Sequence, residues 1–182
     1  MYGMVHKAAR AYAVERFGEP FWLTFSEELG LSDETFVMGE SYADALTFSI
    51  IDGLARATAT SRAQFLQEFG RYWIEFACRG DYANLMALSG ATLPAFLANL
   101  DRLHSGLNVA MPGARMPSFE LVDQTLEGVK VRYVSHRQGL EPFVAGLLEG
   151  LCALFEVQGD VTSCPDEPGA LFDIRYRLPA AA

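Results

Sequence analysis

Three side chains at alternate positions in "RYVSHRQGL", residues 132–140, can all donate hydrogen bonds: the Tyr133 phenol, the Ser135 hydroxyl and the Arg137 guanidinium. The valine and tyrosine flanks read as a strand. Alternate residues of a strand share a face, so these three point one way while Arg132, Val134 and His136 point the other. The solvated face of an antiparallel strand accounts for many such patterns. Here the set is all donors with no acid among them. A guanidinium grips carboxylate or phosphate in a bidentate manner, and two hydroxyls add further bonds. The three residues read as a cradle for an anion.

His104 is the second candidate. In "AFLANLDRLHSGL", Phe96, Leu100, Leu103, His104 and Leu107 fall at helical spacing on one apolar stripe. An imidazole buried there without a partner costs about 1–3 kcal/mol. Two readings stand side by side. One is a core histidine bonded to a backbone carbonyl; the other is an axial ligand to a haem iron, which a neutral imidazole on an apolar wall suits. The other two histidines, His6 and His136, read as surface or supporting residues. Taken together, a metal-bearing apolar disc with two carboxylates, haem b, suits both His104 and the donor cradle.

The elements that must position these residues follow from periodicity. The first ~110 residues read as helices. "MYGMVHKAARAYAVERFG" carries Val5, Ala8, Ala9, Tyr12 and Ala13 at helical spacing, and Gly18 and Pro20 break it. "FWLTFSEELGL", "SYADALTFSIIDGLARAT" and "DYANLMALSG" are further helices. In "SRAQFLQEFGRYWIEFACRG", Ser61 and Gln64 form a capping box ahead of an aromatic stripe. Thr92 is a candidate N-cap for the helix of His104, with Pro94 in its first turn. "NVAMPGARMPSF" reads as a loop. Beyond it, "SFELVDQ" and "GVKVRYVS" pair around Glu127 and Gly128, "LEPFVAGLLEGLCALFEVQ" is a helix, and "DVTSCP" and "ALFDIRYRL" close the chain around "PDEPG". The final alanines read as a frayed tail. The fold class expected is α+β, a helical N-terminal part followed by strand-strand-helix-strand-strand.

Composition narrows the function. The 182 residues suffice for one domain or two small subdomains, and half of them are apolar. A net charge of −9 argues against nucleic acid, whose phosphates need a basic surface. Cys78, Cys152 and Cys164 show no C-x-x-C, so neither a disulfide framework nor a zinc site is expected. No signal-peptide pattern opens the chain and no apolar run approaches about 18 residues, so a cytoplasmic setting without membrane insertion is expected. Motifs of hydrolases, P-loop proteins, zinc proteases and dinucleotide enzymes are missing, and the chain is not expected to be an enzyme.

The sequence resembles the H-NOX (haem-nitric oxide/oxygen binding) family, which includes the haem domain of soluble guanylate cyclase. The resemblance rests on "YVSHR" for Y-x-S-x-R, on "NLDRLH", and on "MPSFEL", with further likeness in "MYGMVHKA" and "GLLEGL". It covers essentially the whole chain in order. It implies a helical subdomain over about 1–60, an α/β part with a four-stranded antiparallel sheet over about 61–182, and haem b between them. It implies that His104 is the iron ligand, that Tyr133, Ser135 and Arg137 hold the propionates, and that Pro117 presses on the porphyrin. Met1 joins the cofactor-binding set.

Oxygen-binding members of the family place a tyrosine over the bound gas. Anchored on "GLLEG", that position is Phe143; counted forward from Arg137 it is Pro142, and neither has a hydroxyl. Val5, Ala9, Trp73, Ile74 and Leu147 are the other expected distal residues, and only Trp73 carries a donor. The resemblance therefore implies a sensor that binds nitric oxide, and carbon monoxide, while excluding oxygen. On the family pattern, gas binding weakens the bond to His104, frees its helix and lets the haem relax. With the chain ending at Ala182, output is expected in trans, to a histidine kinase or a cyclic-di-GMP enzyme. The four-cysteine zinc site of some relatives is not expected. The rival readings are an oxygen-binding sensor and a haem-free module holding a small acid.

Overall fold

The computed structural model describes residues 1–31, 36–37, 39–80, 82–110 and 115–177. The seven helices and four strands described confirm the α+β class, and the chain divides into two compact units, Met1–Phe69 and Gly70–Ala182.

The first unit holds α1 (Gly3–Phe17), α2 (Glu19–Glu28), α3 (Asp44–Ala57) and the start of α4 (Arg62–Arg79). Gly18, at φ 86°, breaks α1 from α2 as its position suggested, because a left-handed turn there excludes a Cβ, and Pro20 then opens α2. Small residues let the helices close up: Ala8, Ala9 and Ala13 of α1 are buried with Ile50, Ile51 and Leu54 of α3. Tyr12 packs edge-on against Phe65 and donates to Glu68, which also pairs with Arg16. The Ser61–Gln64 capping box forms, with reciprocal bonds of 3.3 and 3.0 Å.

The second unit holds the remainder of α4, α5 (Ala83–Leu88), α6 (Leu93–Ala110), α7 (Glu141–Leu154) and a sheet of β1 (Ser118–Gln124), β2 (Gly128–Val134), β3 (Gln158–Asp166) and β4 (Gly169–Arg177). The sheet is antiparallel throughout, in the order β1-β2-β4-β3. Val129, Val131 and Tyr133 of β2 and Phe172, Ile174 and Tyr176 of β4 face one core with Phe96, Leu97 and Leu100 of α6 and Leu148 and Leu151 of α7. The opposite face is charged. There Arg132 of β2 bridges Glu120 of β1 at 2.8 Å and Asp166 at the end of β3 at 2.7 Å.

Several boundaries differ from expectation. The helix of His104 runs to Ala110, three residues into the stretch read as loop, because Asn108 and Val109 tolerate helix and the breakers come only later. The middle of that loop, residues 111–114, lies outside the described residues, as do Asp81 of "DYANLMALSG" and the alanine tail. The helix "LEPFVAGLLEGLCALFEVQ" stops at Leu154, and Glu156 turns at φ 54° into β3, which starts at Gln158. Apolar content misled there: a run buried on one side reads alike as helix or strand.

Candidate functional site

β2 ends at Val134, so the expected strand face of three donors does not exist. Only Tyr133 is on the strand; Ser135 and Arg137 lie in the irregular segment that leads to α7. The strand stops where its ladder stops: Ser118, the first residue of β1, pairs with Val134, and Ala170 of β4 pairs with Tyr133. Beyond those partners a continued strand would have unpaired backbone groups.

The turn brings the Arg137 backbone back against Ser135. The Ser135 hydroxyl accepts from the Arg137 backbone N–H at 3.1 Å, folding the segment back on itself. The charges of Arg137 and Glu141 both act on the Tyr133 phenol. Burial raises the Tyr133 pKa, with Ser135 and Arg137 opposing the rise, so the phenol stays a protonated donor. Arg137 Nη1 donates to the Arg115 carbonyl at 3.2 Å, tying the turn to the segment before β1. Arg115 and Glu141 were missed by the sequence reading, and no local spacing pointed to either.

Among the described residues His104 makes one hydrogen bond, from Nδ1 to the Pro117 carbonyl at 2.8 Å. A carbonyl accepts only, so Nδ1 carries the proton and Nε2 presents its lone pair. Nε2 has no hydrogen-bond partner among the described residues, and the residue is half-buried, so this nitrogen is available. Burial lowers the His104 pKa below its ordinary value; the Pro117 carbonyl and the Asp101 charge partly offset this. The ring is therefore neutral near pH 7, the form that ligates a metal. Nδ1 is bonded to backbone, as the core-histidine reading expects, and Nε2 keeps the lone pair that the ligand reading would need. Pro117 enters through its carbonyl, which orients the ring in the manner of a ligand's outer partner.

Phe119 joins the two halves. Its ring centroid lies 5.5 Å from that of His104 and 5.2 Å from that of Tyr133. Asp101 accepts from the Ser118 hydroxyl at 2.9 Å and from the Phe119 backbone N–H at 2.5 Å. Neither Phe119 nor Asp101 was singled out in the sequence, although an acid three residues before a stripe histidine on one helix face was a readable signal.

The expected distal residues divide by unit. In the first, Val5 lies on α1, and the Met1 ammonium donates to the Tyr42 carbonyl and to Asp44, both at 2.6 Å. In the second, Trp73 and Ile74 lie on α4, and Phe143 and Leu147 on α7. Gly70 lets these two helices touch: a Cβ there would lie 2.3 Å from the Phe143 carbonyl oxygen and 2.8 Å from Leu147 N. Ile74 is buried against Gly150, while Trp73 and Leu147 pack at the edge of the core. His6 is not a surface residue. It is fully buried, with Nε2 2.8 Å from the Thr47 hydroxyl and its ring stacked on Phe36 and edge-on to Tyr42. His136 is exposed, as expected. Of the cysteines, Cys152 is buried, Cys78 half-buried and Cys164 exposed.

The residues fit haem. Neutral His104 offers Nε2 to iron, an apolar stripe flanks it, and a phenol, a hydroxyl and a guanidinium suit carboxylates. Among the described residues no group of three or more His, Cys, Asp or Glu could hold a metal ion by itself, and no helix is long and apolar enough to cross a membrane.

Comparison with known proteins points the same way. A family profile described as haem-NO-binding matches residues 2–163. Soluble guanylate cyclase gcy-31 of Caenorhabditis elegans is 26% identical over 151 residues, covering 83% of this chain and 22% of its own length. Soluble guanylate cyclase 89Da of Drosophila melanogaster is 24% identical over 194 residues, covering 98% of this chain and 29% of its own length. The chain thus spans roughly a quarter of these relatives. An H-NOX protein from S. oneidensis, solved in the Fe(II)NO ligation state, superposes with a TM-score of 0.86 at 18% identity, over 98% of this chain and 100% of that one. An oxygen-binding H-NOX domain in its oxygen complex gives 0.80 at 19% identity, over 97% and 94%. The same fold is therefore seen with either gas.

Proposed function

Because this chain belongs to the haem-NO-binding family, by a match spanning residues 2–163, we propose that it is a nitric oxide sensor that discriminates against oxygen. The observation that carries this reading is the His104 ring, with Nδ1–H engaged by the Pro117 carbonyl and Nε2 unpartnered on the apolar flank of α6. Haem b, when bound in its ferrous state, supplies an iron with one position open to a diatomic gas. His104 Nε2 would bind that iron, Tyr133, Ser135 and Arg137 would hold the two propionates, and Pro117 would stand beside the porphyrin. His104 ties α6 to the cofactor through a single atom. Were that one tie released, α6 would be free to shift while Tyr133, Ser135 and Arg137 would still hold the carboxylates. A ligand that biases two such positions is the requirement for a sensor.

The choice of gas rests on side-chain chemistry. Bound oxygen carries negative charge and needs a donor in a dry pocket. Phe143, Leu147, Ile74 and Val5 offer none, and nitric oxide needs none. The oxygen-binding alternative would rest on Trp73, the single donor in that set. Carbon monoxide binds by the same logic as nitric oxide. We further propose that the chain is not itself an enzyme, that it acts in the cytoplasm, and that it signals in trans to a histidine kinase or a cyclic-di-GMP enzyme.

The test is the absorption spectrum of the purified, reduced protein taken without air, then in air, then with nitric oxide. A haem spectrum that air leaves unchanged and nitric oxide converts to a five-coordinate form is expected. A stable oxygen complex would replace nitric oxide by oxygen as the ligand. A colourless protein after expression with haem supplied would leave Tyr133, Ser135 and Arg137 to a haem-free acid-binding role.

A further inference from the structure

Three consecutive residues, Pro117, Ser118 and Phe119, are gripped by one turn of α6. His104 Nδ1 takes the Pro117 carbonyl at 2.8 Å, while Asp101 takes the Ser118 hydroxyl at 2.9 Å and the Phe119 N–H at 2.5 Å. Asp101 and His104 are three residues apart, so they stand together on one helix face. The bonds to Asp101 have an ionised acceptor, the strong kind. The carbonyl that orients His104 is covalently next to the two groups that Asp101 holds, so it cannot swing while both bonds stand.

From this we infer that Asp101 is a positioning residue for the iron ligand: by clamping Ser118 and Phe119 to α6 it fixes the Pro117 carbonyl against His104 Nδ1. The inference rests on the haem reading above and adds to it the residue that sets the direction of the imidazole. It also names a mechanical path. Phe119 pairs with Tyr133 across β1 and β2, so the clamp joins the helix of the iron ligand to the strand that bears the propionate phenol. A shift of α6 would be felt at Tyr133 through Asp101 as well as through the haem.

The experiment uses the ferrous, gas-free holoprotein and reads the iron–histidine vibration by resonance Raman, together with hydrogen exchange of the Phe119 amide and the His104 Nδ1–H. In Asp101→Ala, the vibration is expected to fall in frequency and both protons to exchange faster by about tenfold or more, the worth of a lost hydrogen bond of this kind. Asp101→Asn retains a carbonyl oxygen as acceptor and is expected to restore most of both. Ser118→Ala removes one bond of the two and should move them less. This last variant keeps the test alive if Asp101→Ala fails to fold. Faster Phe119 exchange with an unchanged vibration and an unchanged His104 proton would make Asp101 a strand clamp only, and would overturn the inference. If the protein purifies without haem, the function proposed above falls, whereas the two exchange rates still decide whether Asp101 positions the His104 ring.

Discussion

Each unit of the molecule holds a histidine with one ring nitrogen bonded and one unpaired among the described residues, and the surroundings of the two differ. In the first unit, His6 is fully buried; Nε2 meets the Thr47 hydroxyl and Nδ1 is buried without a partner. Its ring is closed in by Phe36 and Tyr42. In the second, His104 is half-buried, and its unpaired Nε2 is accessible. Burial lowers the pKa of both, to about 4 for His6, where the N-terminal charge adds to the effect. A neutral imidazole with a spare lone pair is thus not yet a ligand site. What separates the two is whether the spare nitrogen has space beside it and whether the bonded one is held by a group that fixes its direction.

Substitution of the two histidines is the severest way to break this contrast. On the proposed role of His104 as iron ligand, His104→Gly is expected to lower the haem content of the purified protein by about 100-fold or more. Added imidazole should restore the spectrum but not the response of a partner to nitric oxide, since nothing then links iron to α6. His6→Gln should leave the haem-to-protein ratio as in the parent. Equal loss of haem in both variants would erase the distinction.

For His6 the expected effect is on stability. Its folded pKa lies below the unfolded value of 6.5, so the unfolded state binds the extra proton. The stability contributed by the neutral ring is fully present above pH 6.5 and is lost as pH falls towards 4. A shift of that size corresponds to about 3 kcal/mol. Denaturant unfolding across that range should show this acid slope in the parent and not in His6→Gln. A slope that survives the substitution would assign it to other groups.

The donor turn gives a smaller effect, confined to the second unit. Removing the guanidinium in Arg137→Ala should speed haem loss to a haem scavenger by roughly 10- to 100-fold, the worth of charge-assisted hydrogen bonds. Tyr133→Phe, which retains the ring against Phe119 and Phe172, should change it only several-fold. The smallest change sharpens the gas reading. Phe143→Tyr adds one hydroxyl, about 1 kcal/mol as a hydrogen bond, and should raise oxygen affinity several-fold. An oxygen complex already stable in the parent would show that a donor at some position other than 143 serves the pocket.

Much of this was legible in the residues. His104 stood out because a polar ring on an apolar helical stripe must be answered by something, and periodicity alone shows the stripe. The two hairpins were legible from alternation and turn residues, and the Ser61–Gln64 cap from its spacing. The alignment of Tyr133, Ser135 and Arg137 on one strand face was not found. A strand was expected to align them; in fact the strand stops for want of ladder partners, and a side-chain-to-backbone bond at Ser135 folds the segment. For His6 the surface alternative fails, because lysine and alanine neighbours say nothing of what other helices bring to a position.

What the sequence by itself determined is therefore the local half of the site: helix, strands, the type of each side chain and its place in the period. Tertiary structure alone decided which nitrogen of each histidine is spent and which is spare. That choice depends on partners distant in the chain, the Pro117 carbonyl for His104 and the Thr47 hydroxyl for His6. A hydrogen bond is set by the position of its acceptor, and no periodicity along one element specifies where another element places a carbonyl.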